Sequence, residues 1–313
     1  MSRPISSLAI SPYAARVLAS KGFERISDLR GTSEEDLQGF KISPRDVEYL
    51  KNILQTSATP SVAPSLTQSA AKMAQGQQIY STSCSPLDEL LGGGLRRGHV
   101  LEISGPPGSP KEALLRSIPL SFVQNSEHVL FVDLSNMTGP EVLRATLKGY
   151  DGLILHHVVN TLPDFMVFLH HLPALLSAHS KVSLLVFGSI HFPFQSSPSL
   201  SNASRQALLQ RLKSTLASLT IRRDLTIVVT SQLSTKLLNA DGSTATFDTG
   251  GLGVMVPQLD PVYLPGGRAY RVIIVPGGRN SGFLKLLSTP STPTGKGPIA
   301  KAQYNFDGEV VYS

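Results

Sequence analysis

The sequence predicts an α/β fold with a mostly parallel sheet flanked by helices, preceded by a small all-α module. Between residues 99 and 230, short apolar segments alternate with longer segments of helical character. This alternation is typical of a parallel sheet covered by helices on both faces. Residues 8–54 carry only helix signals, and residues 55–79 contain a single charge, Lys72, between the two parts. Three segments are therefore expected: a helical module, a linker and an α/β core.

The helical module is predicted over residues 1–54. Ser11 and Pro12 indicate a helix start, and Gly22 indicates its end. Ser43 before Pro44 is a second N-cap signal with proline in the first turn. About 50 residues are just enough for a domain that folds alone. Residues 55–79, rich in Ser, Ala, Thr, Gln and Pro, have the composition of a flexible linker.

Residues 80–313 form the predicted core. Strands are expected at 99–104, 128–133, 152–158, 182–190 and 224–230, and helices at 111–123, 138–149, 162–179 and 203–220. Residues 238–260 are rich in Gly, Asp and Thr and predict a long loop. Strands are expected again at 269–275, 283–287 and 301–312.

Composition excludes several classes of protein. Hydrophobic residues make up 41% of the 313 residues and charged residues 16%, which excludes wholesale disorder. No apolar run approaches the roughly 18 residues that a membrane helix needs, so no membrane partner is predicted. Cys84 is the single cysteine, which excludes a disulfide framework and fits a reducing compartment. The chain also lacks a clear metal-ligand pattern, so no metal site is predicted.

The positive charge lies at one end of the sequence. The net charge is +6, and residues 191–313 alone carry 12 Lys or Arg against 6 Asp or Glu. The candidate contacts for a polyanion are Arg205, Arg211, Lys213, Arg222, Arg223 and Lys236. Such an excess suits nucleic acid, although an ordinary basic surface explains the charge alone equally well.

A phosphate-binding motif in altered form follows the first strand of the core. The segment reads Gly105, Pro106, Pro107, Gly108, Ser109, Pro110, Lys111, Glu112. The P-loop pattern is G-x-x-x-x-G-K-[ST] between a strand and a helix. Gly105 and Lys111 fit this pattern. Pro110 replaces the second glycine and Glu112 replaces the hydroxyl residue.

Each replacement removes part of the chemistry. Proline at 110 lacks an N–H donor for a phosphate, and Glu112 removes the hydroxyl that would hold Mg²⁺. Gly188 stands where an acid normally binds Mg²⁺ through water. Strand 128–133 ends in Asp133, but the next residues, Leu134 and Ser135, cannot act as a base. Together these losses predict weak or absent ATP hydrolysis; no residue is assigned as catalytic, and ATP with Mg²⁺ is weakened as a ligand rather than excluded.

Four segments resemble one known family. Residues 80–95, followed by Gly98, Glu102, Ile103 and Gly105, resemble the start of the ATPase core of RecA-type recombinases. The likeness is to the eukaryotic strand-exchange recombinase and its paralogues, with 180–195 most similar to the C-type paralogue. Residues 230–236 resemble the family's T-N-Q-x-T-x-K strand end, and the module at 8–54 resembles its small helix-hairpin-helix-like DNA-binding domain.

The resemblance implies a RecA-like core, a nuclear role in recombinational DNA repair and membership of a paralogue complex. It implies that the loops after 190 and after 236 approach single-stranded or branched DNA, and that Gln232 senses the nucleotide state. The implied partners are other recombinase paralogues and the main recombinase.

Three functions remain open at this point. The first is a recombinase-paralogue subunit that binds DNA and other paralogues and assists recombinase loading with little or no ATP hydrolysis. The second is an active DNA-dependent ATPase that uses Glu112 or Asp133 as a substitute metal ligand. The third is a protein-interaction scaffold without DNA binding.

Overall fold

A computed structural model describes most of the core and part of the helical module. The described residues are 10–21, 26–29, 42–56, 78–239, 250–292, 300–308 and 310–312, with the single residues 5, 8, 23, 37, 39, 40, 243, 245 and 246. The chain divides into two compact units, Met1–Ala74 and Gln75–Ser313. The predicted linker lies almost wholly outside the described residues.

Elements of the first unit whose bounds are described include helices α1 (Pro12–Ser20) and α2 (Pro44–Thr56) and a 3₁₀ turn at Ile26–Leu29. The side chain of Ser11 caps α1 by accepting from the Ala14 N–H. Asp46 in the first turn of α2 accepts hydrogen bonds from the backbone and hydroxyl of Ser11. These bonds lower the pKa of Asp46. Leu18, Leu29 and Leu50 are among the buried residues of a small apolar core.

The second unit alternates strands and helices up to residue 238 and then contains strands. Its strands are β1 (Ile79–Tyr80), β2 (Leu95–Arg96), β3 (Val100–Gly105), β4 (His128–Asp133), β5 (Ile154–Val158), β6 (Val182–Gly188), β7 (Thr226–Leu238), β8 (Leu252–Pro257), β9 (Ala269–Pro276), β10 (Ser281–Ser288), β11 (Lys301–Phe306) and β12 (Val311–Tyr312). Its helices are α3 (Ser85–Leu91), α4 (Lys111–Ser117), α5 (Pro119–Gln124), α6 (Pro140–Thr146), α7 (Leu162–Ala178), α8 (Phe192–Gln195) and α9 (Asn202–Arg222).

One large sheet organises this unit. Its order is β12-β11-β10-β9-β3-β7-β6-β4-β5, with β8 paired to β7. The six strands from β9 to β5 pair in parallel, whereas β10, β11 and β12 are antiparallel. The predicted α/β class and the mostly parallel sheet are confirmed. The carboxyl ends of β3, β4, β6 and β7 share one edge, because these strands all run in the same direction.

Apolar side chains cover both faces of the sheet. One buried cluster joins the strands to α7 and α9, and includes Phe165, Phe187 and Leu216. A second cluster joins the other face to α3, α4 and α5, and includes Leu87, Leu115 and Phe131. Because both faces are covered, β3 and β6 are buried at every position and their sequences do not alternate between apolar and polar residues.

Four expectations about the elements were wrong in detail. The strand predicted at 301–312 is two strands, β11 and β12, which pair antiparallel. The helix predicted at 111–123 is divided at Ile118, because Pro119 lacks the N–H that a continuous helix needs. The strand predicted at 224–230 extends to Leu238. The loop predicted at 238–260 contains β8, which pairs antiparallel with residues 233–238 of β7. Gly253 in that strand obscured the signal.

None of the described helices combines the length and apolarity needed to span a membrane.

Candidate nucleotide and nucleic-acid sites

The altered P-loop connects β3 to α4, as the motif predicted. The turn is closed by the Ser109 N–H, which donates to the Pro106 carbonyl at 3.2 Å. Gly108 has a φ of 78°, a left-handed conformation that favours glycine. A β-carbon on Gly105 would collide with Ser109 Oγ. The two glycines therefore maintain the outline of the loop.

Lys111 points into this loop. The residue is only 4% exposed, and its Nζ donates to the Pro106 carbonyl at 3.2 Å. The same Nζ lies 3.6 Å from Glu112 Oε1. The lysine charge is thus shared between a carbonyl of the loop and the neighbouring carboxylate.

Glu112 brings a negative charge to the first turn of α4. Burial raises the pKa of its carboxyl, whereas the charge of Lys111 lowers it. Asp133 is a further negative group that raises this pKa. Any phosphate at this loop would meet the repulsion of these carboxylates.

The loop lacks one backbone N–H donor, and two buried hydroxyl groups in or beside it are without a described partner. Pro110 occupies the N-cap position of α4 without a side-chain cap, and it has no N–H to donate. The buried hydroxyls of Ser104 and Ser109 have no hydrogen-bond partner among the described residues. Unpaired buried hydroxyls carry a free-energy cost.

Asp133 and Gly188 are register partners on β4 and β6. Asp133 Oδ2 accepts from the Thr138 N–H at 2.6 Å, and Oδ1 accepts from the Ser135 N–H at 3.0 Å. Asp133 therefore holds the chain that follows β4 in place through two backbone hydrogen bonds. A β-carbon at Gly188 would lie 3.8 Å from Asp133 Oδ1, so position 188 faces this carboxylate.

Gln232 lies beside the start of the loop, because it is the register partner of Gly105. Its N–H donates to Nδ1 of His191 at 3.3 Å, and its carbonyl accepts from the Gln258 N–H at 2.8 Å. The backbone of Gln232 thus links β7, the chain after β6 and the chain after β8.

His191 was not singled out as a site residue by the sequence analysis. Burial, followed by the positive charge of Lys111, lowers its pKa to about 4. The ring is consequently neutral at pH 7 and accepts from Gln232 through Nδ1. Its position directly after the buried strand β6 was the available signal.

A buried triad below the loop was also missed. Glu102 on β3 is fully buried and forms an ion pair with Arg271 on β9. The hydroxyl of Tyr263 donates to Glu102 Oε1 at 2.6 Å. Burial and the charge of Glu102 raise the pKa of Tyr263, so this hydroxyl stays protonated. The triad joins the P-loop strand to the chain that follows β8; only Glu102, an acid in an apolar strand, gave a local signal.

The six basic candidates lie in different places. Arg205 near the start of α9 donates to the Phe194 carbonyl. Arg211 and Lys213 lie midway along α9, whereas Arg222 and Arg223 precede β7. Lys236 lies in the β7–β8 hairpin at the other end of the strand. Ten residues of strand place Thr226 and Lys236 about 33 Å apart, so one compact site cannot contain all six.

The residues at the Mg²⁺-ligand positions of this P-loop are not the ones that a working P-loop uses. Glu112 stands in place of a hydroxyl, Gly188 has no side chain, and both oxygens of Asp133 accept backbone N–H groups. Within the described parts of the chain, no three His, Cys, Asp or Glu side chains converge as a metal site would require.

Comparison with known proteins points to one family. Over 283 residues, covering 76% of this chain and 77% of the relative, the chain is 25% identical to "DNA repair protein RAD51 homolog 3" of Cricetulus griseus. It is 26% identical over 163 residues to "DNA repair and recombination protein RadB" of Halobacterium salinarum, covering 50% of this chain and 69% of the relative. It is 37% identical over 62 residues to the protein of that name from Methanococcoides burtonii, and this match covers 20% of this chain and 27% of the relative. No family model matches. Together with the mixed α/β core and the strand–turn–helix loop, these relatives support a RecA-type recombinase paralogue family for this chain.

Proposed function

We propose that the chain acts in homologous-recombination DNA repair as a recombinase-paralogue subunit. In this role it binds DNA and other paralogues and assists the loading of the main recombinase, with weak or absent ATP hydrolysis. The observation that carries the proposal is a P-loop in which Lys111 pairs with Glu112. The names of the relatives, which describe DNA repair and recombination, support the biological role.

Loss of ATP turnover follows from the donor set. Hydrolysis by a P-loop protein needs a hydroxyl and an acid on Mg²⁺, and a group that orients water. Here Glu112 and Gly188 occupy the first two positions, and each oxygen of Asp133 already accepts a backbone N–H group. Binding to DNA and to other proteins requires no bond cleavage, so both remain available to this chain.

An exposed sheet edge supports binding to another paralogue. β5 ends the sheet and, among the described strands, pairs only with β4. Beside it lies a groove of about 660 Å³ lined partly by Val158, Val167 and Phe168. Val158 is 40% exposed and Val167 57% exposed. An unpaired strand edge next to apolar side chains suits a segment of a second protein.

The charge distribution supports DNA binding. All of the net charge of +6 lies after residue 190, and neutralising phosphates with Lys and Arg makes affinity fall with salt. We expect the DNA ligand to be single-stranded or branched.

A role in recombinational repair also implies a nuclear location for the chain. Imaging of a tagged chain in cells tests this location.

The decisive experiment is calorimetric titration of ATP with Mg²⁺ into the purified chain, alone and with a co-purifying paralogue. ATP turnover is measured in parallel with and without single-stranded DNA. The proposal expects weak or no ATP binding and no DNA-stimulated turnover. Turnover that disappears in Lys111→Ala contradicts it and supports the active-ATPase alternative. DNA affinity that is unchanged from 50 to 200 mM salt contradicts the DNA-binding part.

A further inference from the structure

We propose that the groove between α7 and α9 binds the sugar–phosphate backbone of one nucleic-acid strand. The inference rests on the proposed DNA-binding function and gives it a location. The groove has a volume of about 670 Å³. Its polar lining consists of Arg211, Ser214, Thr215, Ser218, Arg222 and Arg223.

The lining forms one stripe along α9. Arg211, Thr215, Ser218 and Arg222 are separated by four, three and four residues, which is the spacing of neighbours on one helix face. The stripe begins and ends with arginine and has hydroxyl groups between. Arg211 and Arg222 are exposed, so both guanidinium groups are accessible to a ligand.

The charge of the groove is positive. No Asp or Glu is among the described residues that line it. The nearest acid in the sequence, Asp224, is directed to another partner, since its Oδ2 lies 3.4 Å from Arg97 Nε. Three arginines with no acidic side chain in the described groove lining create a local field that attracts an anion.

One of the arginines is held in place. Nη2 of Arg223 donates to the Pro173 carbonyl at 3.2 Å and to the Ser177 hydroxyl. Both contacts use the same nitrogen, and a guanidinium carries three further N–H groups. Arg223 therefore connects α7 to the end of α9 and contributes a positioned charge at that end of the groove.

The length of the stripe favours a strand over a single anion. Eleven residues of helix separate Arg211 from Arg222 by about 16 Å. Phosphates follow one another about every 3.4 Å of axis along a duplex strand, so the stripe spans several of them. Arginine and hydroxyl side chains are the usual donors to DNA phosphates. Pro173, which is exposed and also lines the groove, offers apolar surface to a sugar.

The groove and the P-loop lie at opposite ends of the parallel strands. Arg222 ends the helix before β7, whereas the P-loop follows the carboxyl end of β3. β3 and β7 are parallel neighbours, with Val100 beside Ile227 and Gly105 beside Gln232. About 17 Å of strand separates the two edges. Binding in the groove is therefore expected to be independent of the loop.

The test measures the affinity of the full chain for labelled oligo-dT by fluorescence anisotropy at several salt concentrations. The variant is Arg211→Gln/Arg222→Gln, which leaves the Arg223 contacts intact. The matched control is Lys148→Gln/Arg279→Gln, which removes the same charge at two exposed positions elsewhere. Thermal unfolding of all proteins checks that they remain folded, and single Arg→Gln variants replace the double variant if it does not fold.

The groove variant is expected to bind on the order of tenfold or more weakly, and its salt slope is expected to fall by about 1.4, or 0.7 for each lost phosphate contact. The control keeps the wild-type affinity. Equal affinity of groove and control variants overturns the groove while leaving DNA binding in place. A wild-type chain that binds no oligo-dT overturns the DNA-binding function as well. A poly-glutamate peptide that displaces oligo-dT at equal charge concentration assigns the groove to acidic peptides and also overturns the proposal.

Discussion

Nζ of Lys111 lies 3.6 Å from Oε1 of Glu112, the next residue along the chain. In a P-loop this ammonium would serve a phosphate, but here a carboxylate of the protein accompanies it. The pair is 5% and 25% exposed at its two side chains, so solvent screens it only partly. The loop thus keeps the backbone shape of a P-loop, but the negative charge of Glu112 neutralises part of the positive charge of Lys111.

Replacing Glu112 with threonine is expected to strengthen ATP binding at least about tenfold. A like charge near 4 Å costs up to about 4 kcal/mol at an effective dielectric of 20, and Pro110 still withholds one donor. Calorimetry with ATP and Mg²⁺ measures the change, and Glu141→Thr in the first turn of α6 is the charge-matched control. Hydrolysis stays absent, because Gly188 still lacks a carboxylate. An unchanged affinity would show that Glu112 does not limit nucleotide binding.

Glu102→Gln is expected to destabilise the core by about 3–5 kcal/mol, because it leaves the buried Arg271 without a counter-charge. Tyr263→Phe should cost about 1–3 kcal/mol, since one carboxylate oxygen loses its donor. Urea unfolding measures both changes. Glu102→Met/Arg271→Met removes both charges and should cost less than Glu102→Gln. If the double variant lost as much unfolding free energy as Glu102→Met and Arg271→Met lose together, the two residues would not be coupled.

His191→Asn is expected to reduce the loss of stability between pH 6.5 and pH 4. The folded pKa of His191 is lowered from 6.5 to about 4, so within this window the unfolded chain binds a proton that the folded chain does not. The contribution of His191 to the unfolding free energy is therefore complete above pH 6.5. It is lost as the pH is lowered to 4, by about 3 kcal/mol in total. The Asn Oδ1 can still accept from the Gln232 N–H. Unfolding free energies at half-unit pH steps measure the slope, and identical slopes for both proteins would contradict the assignment.

Gly105→Ala is expected to destabilise the protein by about 1–3 kcal/mol, because the added methyl group overlaps Ser109 Oγ. Ser109→Ala alone should be nearly neutral or stabilising, since its buried hydroxyl has no partner among the described residues. The double variant should recover part of the loss, although the β-carbons of residue 109 at 3.2 Å and of Ile274 at 3.3 Å limit the recovery. Thermal unfolding measures all three. Simple additivity would show that the hydroxyl is not the obstacle.

Local patterns predicted the strands that are buried on both faces. β3 and β4 were predicted within a residue of their observed bounds, because an uninterrupted apolar run needs no partner to be recognised. The strand–turn–helix position of the P-loop followed from Gly105 and Lys111 in the same way. β8 was missed, since its residues 252–255 are exposed and only pairing with β7 makes them a strand.

The sequence by itself determined the α/β class, the altered P-loop and the family resemblance, because each depends on which residue types follow one another at short spacing. Tertiary structure alone decided that Glu102 meets Arg271 across 169 positions of chain, and that Arg222 and Lys236 lie at opposite ends of β7. The physical reason is that side-chain chemistry is local, whereas the distance between two charges is set by the strands and helices that separate them.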